Sequence, residues 1–565
     1  MQENTYDAIV IGAGMSGGWS AKELCERGLK TLLLERGPDV KHIKDYPTAT
    51  KNPWEFEHRG EMPLKVKEAN PVIARCYAYR EDNAHFFVKD QEHPYAQDTP
   101  FDWIRGYQVG GRSLMWARQT QRWSDFDFEG PARDGFAVDW PIRYQDIDPW
   151  YSKVEKFVGI SGNRDGIDVL PDGEFLPAWK LNCVQSFFSD SVKKNYKNRH
   201  VIFGRCAHLS DPQEVHRQQG RGMCMARLEC ARGCPLGGYF SANSSTIPWA
   251  AKTGNLTLRP DAVVQSIMYD DKLGKATGVR IIDRLTGAVT EYSSRLIFLN
   301  AGAINTVSVL LNSKSSAFPD GLGNHNGLLG KYIAFHNYRG KISARCDDFG
   351  DNKEIGRKPS GGYLPRFRNV YRQETDFLRG YAAGFGASRS RIGGKAEGWG
   401  EELRDNLLGA KPELGPWQVG SHMMGATIPK EDSYVSLDQT KVDEWGMPLI
   451  HVAMRYDDND EKMLLDFFEQ FSEMYEKAGF KDIRIRDTKQ APGLDIHEMG
   501  GARMGRDPKT STLNAWNQLH TCPNVFVTDG ACMTSTSTQN PSLTYMAIAA
   551  RAANYAADQL EKENI

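Results

Sequence analysis

Apolar residues gather in short unbroken runs near the two ends of the chain, and alternate with polar ones farther in. Tyr6-Asp-Ala-Ile-Val-Ile11 predicts a strand buried on both faces, as in a parallel sheet. Met15 to Arg27 reads as a helix with small residues Gly17, Gly18 and Ala21 where it approaches that strand, and Gly28 stops it as a C′ residue. Leu29 to Leu34 predicts a second strand, closed by Glu35. At the far end, Asn524-Val-Phe-Val-Thr-Asp-Gly530 predicts a strand ending in an acid and a glycine. An alanine-rich helix follows from Leu543 to Leu560, with Asn540 as its N-cap and Pro541 in its first turn. Between the ends lie a strand around Thr257, a strand end at Val263-Val264, strands at Gly278 to Ile282 and Arg295 to Leu299, and a helix after them. Ser433 to Leu437 and Ile450 to Met454 alternate as half-buried strands do. From Asp458 to Lys477 a helix carries Met463, Phe467, Phe471 and Met474 on one face, a stripe that belongs to a core. Phe349 to Gly400, rich in Gly, Arg and Tyr, reads as loops at the mouth of a site.

The turn after the first strand is Gly12-Ala-Gly-Met-Ser-Gly17, a GxGxxG sequence between a strand and a helix. Its glycines let the backbone approach a pyrophosphate, which sits at the helix N-terminus where N–H groups and the helix dipole favour anions. Glu35 stands about eighteen residues on, close to the spacing of a ribose hydroxyl acceptor. Strand, helix, second strand and acid together predict a dinucleotide-binding unit; the motif itself does not separate NAD from FAD.

A second cluster of chemistry lies at Gly222-Met-Cys-Met-Ala-Arg-Leu-Glu-Cys-Ala-Arg-Gly-Cys-Pro235. Cys224, Cys230 and Cys234 are soft ligands suited to an iron–sulfur cluster or zinc. A zinc site would need a fourth ligand, with His208 and His216 nearby, and structural zinc sites usually show CxxC-like pairs that are missing here. Plain structural thiols are the third reading. Ten cysteines in 565 residues are too sparse for a disulfide framework.

Composition narrows the classes. Hydrophobic residues at 40% and charged at 25% are ordinary for a soluble enzyme, and 565 residues normally divide into two or more domains. A net charge of −2 with no basic run argues against a nucleic-acid surface. No apolar stretch reaches the roughly 18–20 residues of a membrane span. No signal sequence or twin-arginine pair precedes the first strand.

Further pieces complete a family pattern: Val109-Gly-Gly-Arg-Ser113, Leu299-Asn-Ala-Gly-Ala303, His497-Glu-Met-Gly-Gly-Ala-Arg-Met-Gly505 and the Asp529 to Thr544 segment with Asn540-Pro-Ser-Leu-Thr544. With Gly12 to Glu35 they span almost the whole chain, and the chain resembles the glucose–methanol–choline (GMC) oxidoreductases, FAD-dependent enzymes of alcohols and sugars. The resemblance implies an α/β fold with a Rossmann-like FAD-binding domain and an interleaved α+β substrate-binding domain. The FAD domain would take 1–45, 100–125, 216–329 and 491–565, cysteine segment included, and the substrate domain 46–99, 126–215 and 330–490.

The resemblance also implies roles. FAD would contact Gly12, Gly14, Gly17, Glu35, Gly110, Gly111, Ser113, Met115, Val264, Ala301, Asp529, Gly530 and Pro541. His497 and Asn540 match the pair that the family sets at the flavin face. Some relatives attach FAD through a histidine just after the Gly-Gly pair; Leu114-Met115-Trp116 stands there, which implies non-covalent FAD. The chain is more similar to the large subunits of bacterial sugar dehydrogenases, several of which hold a 3Fe-4S cluster on cysteines with gaps of six and four, as at Cys224, Cys230 and Cys234. This implies a glucoside 3-dehydrogenase that makes 3-keto sugars and passes electrons to a cytochrome c-type acceptor. It also implies a small subunit whose export signal carries the folded protein to the periplasm, with the cytoplasm as the alternative. Other readings are a glucose, gluconate or fructose dehydrogenase, a peroxide-forming sugar oxidase with a zinc knuckle, and a non-catalytic electron-transfer flavoprotein. Trp103, Trp116, Trp123, Trp140, Trp150 and Trp417 are candidate stacking faces for a sugar, although most of thirteen tryptophans belong in a core.

Overall fold

The structure is a computed structural model that describes residues 4–352, 354, 358–392, 398–408 and 413–565. Its first sheet has a parallel core in the order Cys522–Val527, Val289–Leu299, Thr5–Ile11, Thr31–Leu34, Leu256–Arg259. The apolar runs at both chain ends are adjacent because each needs a neighbour on either side. Ala8, Val10, Leu33, Phe298 and Phe526 fill one face against Ala552, Ala553 and Ala556 of the C-terminal helix, Ser542–Glu561. The helix Met15–Glu26 lies between that helix and Thr246–Ala251. Small residues permit this: a Cβ on Gly18 would stand 2.4 Å from Thr246 Oγ1.

Ala262–Asp270 and Lys275–Asp283 form an antiparallel leaf on Val289–Leu299. Val263-Val264 therefore opens a strand, where the sequence pattern suggested the end of one. The helix Tyr144–Val158, from a stretch assigned by sequence to the second domain, packs on the C-terminal helix, with Tyr151 Oη 2.8 Å from Thr544 Oγ1.

The second sheet is antiparallel, in the order Lys481–Asp487, Gly340–Cys346, Glu413–Ala426, Tyr381–Ile392, Gly362–Leu364, Ile202–Phe203. Helix Asp458–Lys477 covers it with Met463, Phe467, Phe471 and Met474, all buried. Two of these strands lie in Phe349 to Gly400, the stretch expected to be loops. Tyr381, Ala383, Phe385 and Ala387 alternate into the core under the helix, while Gly384 makes room for the His422 ring and Gly386 leaves space on the cavity side. The glycines made a strand look like a loop. Positions 353, 355–357 and 393–397 of that stretch lie outside the described residues. A small third sheet joins Tyr434–Val442, Pro448–Ala453 and Ala96–Gln97, and hangs its turn over the Glu35 end of the first sheet. Among the described residues no helix is long and apolar enough to cross a membrane.

Candidate active site and cysteine pocket

A cavity of about 750 Å³ runs between the two large sheets. Gly12, Gly14, Glu35, Gly111, Ser113, Met115, Val264, Ala301, Asp529 and Gly530 line it, as do His497 and Asn540. Gly17, Gly110 and Pro541 stand behind the wall. Gly17 is there for packing, since its Cβ would lie 1.8 Å from the Gly12 carbonyl oxygen. Gly110, at φ +95°, donates its N–H to Ala13 O at 3.0 Å and sets the Gly110-Gly111 turn against Gly14. Gly14 faces empty space: a Cβ there would meet no atom within 4 Å. An anion at the N-terminus of helix Met15–Glu26 fits in that space.

The acids of this cleft are held by backbone N–H groups and, at Asp529, by the Thr306 hydroxyl as well. Glu35 accepts from Ala13 N (3.0 Å) and Gly37 N (3.1 Å), and burial pushes its carboxyl up to about 7. Asp529 accepts from Gly302 N (2.8 Å), Thr306 Oγ1 (2.6 Å) and Ala531 N (2.9 Å), and burial raises it to about 6. Tyr545 Oη lines the cavity, buried and without a hydrogen-bond partner. An open glycine cleft at one end and an orphaned hydroxyl beside a helix N-terminus at the other fit an elongated flavin dinucleotide. The segments 93–94 and 443–450, assigned by sequence to the second domain, close the Glu35 end. There Arg36 lies over Tyr107 (4.2 Å) and Trp445 (5.3 Å), with His93 stacked on Trp445.

His497 and Asn540 meet at the opposite end. Asn540 Nδ2 stands 3.3 Å from His497 Nε2. Asn540 is thus no N-cap: the helix starts at Ser542 after Pro541, and no side chain caps it. His497 Nδ1 is 2.9 Å from Nδ1 of His336, a residue the sequence did not single out. Backbone register brings the two rings together. Ala334 and Met499 exchange N–H···O bonds of 2.7 and 2.9 Å as an antiparallel bridge, which sets His336 opposite His497. Burial holds both imidazoles neutral, His336 at about 4 and His497 well below the usual range, with His336 and Arg112 adding to the effect on His497. Asp495, whose carboxyl accepts the backbone N–H of His336 at 2.8 Å, is raised by burial to about 7.

Of the tryptophans considered for sugar stacking, Trp103 and Trp116 line the cavity, whereas Trp123, Trp140 and Trp417 are fully buried in the cores. The remaining wall is Tyr77, Tyr338, Tyr363, Phe385 and His422, interleaved with glycines 361, 362, 384, 386 and 420.

Cys224, Cys230 and Cys234 line a second, small cavity of about 30 Å³ with His208 and Tyr239. His208 Nε2 is 3.6 Å from Cys230 Sγ, and Gly238 N–H points at Cys234 Sγ from 3.4 Å. His216 is turned away, its nitrogens bonded to Gln213 N and Lys156 O. Among the described residues the one triad of ligand atoms within 4.8 Å of one another is His336, Asp495 and His497, so the thiols stand wider than a single ion requires. The short turn Cys230–Arg232 separates the cavities: Cys230 faces the small one and Ala231 lines the large one.

Comparisons with known proteins agree with this architecture. The GMC oxidoreductase family matches residues 6–337 with its N-terminal part and 429–549 with its C-terminal part. The chain is 28% identical to a 2-methyl-1,2-propanediol dehydrogenase of Mycolicibacterium austroafricanum, over 97% of this chain and 94% of that one. It is 24% identical to a fructose dehydrogenase large subunit of Gluconobacter japonicus, over 98% of both. The crystal structure of pyridoxine 4-oxidase from Mesorbium loti superposes with a TM-score of 0.60 over 97% of this chain and 98% of that one, at 16% identity, which shows a shared fold. The chain belongs to the GMC oxidoreductase family.

Proposed function

We propose that this protein is an FAD-dependent sugar dehydrogenase that oxidises a secondary hydroxyl of a glucoside or disaccharide, at C3, to a 3-keto sugar. The observation that carries the reading is His497 Nε2, held beside Asn540 and open to the cavity. A bound flavin supplies the hydride acceptor. His497 Nε2 takes the hydroxyl proton as the C–H bond yields its electron pair, leaving a carbonyl. Asn540 holds the substrate oxygen in the approach that both transfers need. The N-terminus of helix Ser542–Glu561 places its positive end beside them. Aromatic residues separated by glycines give the flat faces on which sugar rings stack.

In this reading Cys224, Cys230 and Cys234 hold a 3Fe-4S cluster that takes electrons towards a cytochrome c-type acceptor. Three thiols lining one pocket and the shared wall at Ala231 support it. The cavity as it stands is smaller than a cluster, so the half-exposed Cys230 and Cys234 would close around one as it assembles. Exposed Met223, Met225, Leu228 and Leu236 surround the pocket, an apolar rim suited to a partner. The Gluconobacter relative is named a large subunit, which supports a small subunit here, one whose signal would take the folded protein to the periplasm. A small-diol substrate is the competing reading, favoured by the Mycolicibacterium relative.

Anaerobic flavin bleaching on a panel of glucosides, disaccharides, free sugars and 1,2-diols tests both, with product analysis at C3. Bleaching by diols alone would refute the sugar reading. Zinc in place of iron and acid-labile sulfide, with rapid oxygen consumption, would refute the cluster.

A further inference from the structure

We propose that His336 is a positioning residue that fixes the tautomer and the aim of His497, and receives no proton itself. This rests on His497 as the base. His336 is fully buried and absent from the cavity wall, so it acts only through His497.

The argument starts at a carbonyl. His336 Nε2 lies 2.7 Å from Ser537 O, with Thr536 Oγ1 at 3.1 Å. A carbonyl oxygen only accepts, so Nε2 carries the hydrogen and Nδ1 keeps a lone pair. That lone pair faces His497 Nδ1 at 2.9 Å, which must therefore be the protonated nitrogen of His497. His497 Nε2 is left with its one lone pair, which accepts from the Asn540 amide at 3.3 Å and is handed to the substrate hydroxyl when that bond is exchanged. One backbone carbonyl thus decides which nitrogen faces the substrate.

The same bonds decide the fate of the proton. When the substrate O–H breaks and its proton joins His497 Nε2, both ring nitrogens of His497 become donors. The Nδ1–H···Nδ1 bond to His336 is then charge-assisted and stronger. The proton goes no farther, because its transfer to His336 Nδ1 would make a fully buried imidazolium with no acid at its other nitrogen, whereas His497 meets the cavity. It returns to the cavity after the carbonyl product leaves. Asp495 and Glu498 are the acids and Arg112 the cation that face the pair, Arg112 being tied to Glu498 at 2.9 Å.

The test uses holoenzyme and the anaerobic rate of flavin reduction across pH. His336→Leu removes the acceptor, and His336→Asn returns an oxygen near the Nδ1 position. His336→Leu should slow reduction about 10²-fold, within the span of general-base catalysis, with FAD content and substrate KM little changed. Its acid limb should move to lower pH, because the lost hydrogen bond to neutral His336 favours the charged form of His497 and outweighs the repulsion that a charged His336 would exert. His336→Asn should recover at least tenfold of that loss. In a His497→Ala background, His336→Leu should add nothing, as coupled residues behave. Wild-type rates and an unshifted profile in His336→Leu would overturn the proposal, as would equal losses in both variants. If His336→Leu fails to hold FAD, His336→Asn decides alone, and a loss beyond about tenfold overturns it. If His497→Ala itself keeps its rate, the assignment of the base has failed, a result distinct from failure of His336.

Discussion

Gly14 and Gly17 belong to one motif, and substitution at each should fail for a different reason. Gly14 has a negative φ of −82° with ψ −154°, at the edge of the extended region that L-residues use, and open space where a Cβ would go. Gly14→Val should therefore fold as apoprotein with a near-normal melting temperature. Its side chain would occupy the approach of the pyrophosphate and displace it from the helix N-terminus. Losing two hydrogen bonds to a charged group, at about 1.5–3 kcal/mol each, weakens FAD binding roughly 10²- to 10⁴-fold. Gly17→Ala meets a different obstacle. Its Cβ would stand 1.8 Å from the Gly12 carbonyl oxygen, where about 3.4 Å is ordinary contact, and both partners are backbone. The helix must move off the central strand, at or beyond the ~1–3 kcal/mol of ordinary overpacking. Thermal melts of apoprotein, with flavin absorbance retained after gel filtration, separate the two. Gly14→Val that keeps its flavin, or Gly17→Ala that melts like the parent, would refute the reasoning.

His497→Ala should lower turnover by roughly 10²–10⁴ with FAD retained, whereas near-normal kinetics would show that the base is elsewhere. Asn540→Ala should cut turnover while leaving the melting temperature unchanged, because Asn540 caps no helix; a clear loss of stability would contradict this. The pH dependence has a definite sign: a base acts when unprotonated, and burial keeps His497 neutral well below 6.5. Flavin reduction should stay flat as pH falls from 8 through 6.5, and an acid limb centred near 6.5 would contradict the burial argument. With the proposed cluster, the oxidised protein should contain iron and acid-labile sulfide and show a half-integer-spin resonance, and Cys230→Ser should lose these and its turnover with the natural acceptor while flavin bleaching by substrate survives. Full turnover in a variant that keeps FAD would exclude these cysteines as the electron exit.

What could be read from sequence was what local backbone geometry demands. Gly12, Gly14, Gly17 and Glu35 announce themselves because a tight turn, a close helix and a strand end need those residue types at fixed spacings. The chain ends were legible for the same reason, their unbroken apolar runs fitting only the middle of a parallel sheet. His336 was not legible, since it lies 161 residues from His497 and reaches it through a two-residue bridge that leaves no periodic mark. Asn540 looked like a cap because a cap and a cavity-facing amide use the same residue before the same helix. Tyr381–Ile392 was hidden by glycines placed where the cavity needs room, and Trp123, Trp140 and Trp417 by the fact that stacking and core packing favour the same rings.

The central position of the strand Thr5–Ile11 has a consequence for how the protein is made. One neighbour, Thr31–Leu34, emerges at once, but the other pairs Thr5 with Ser293. At roughly 5–20 residues per second, the about 290 intervening residues take on the order of 15–60 s to synthesise. For that time the most apolar edge near the N-terminus is open to misplaced pairing. The helix beside the His497 site, Ser542–Glu561, packs on Met15–Glu26 and is made after every strand of that sheet. Cofactor capture therefore waits for that helix, long after the glycine turn that meets the pyrophosphate is made, and the edge of Thr5–Ile11 stays open until Val289–Leu299 arrives.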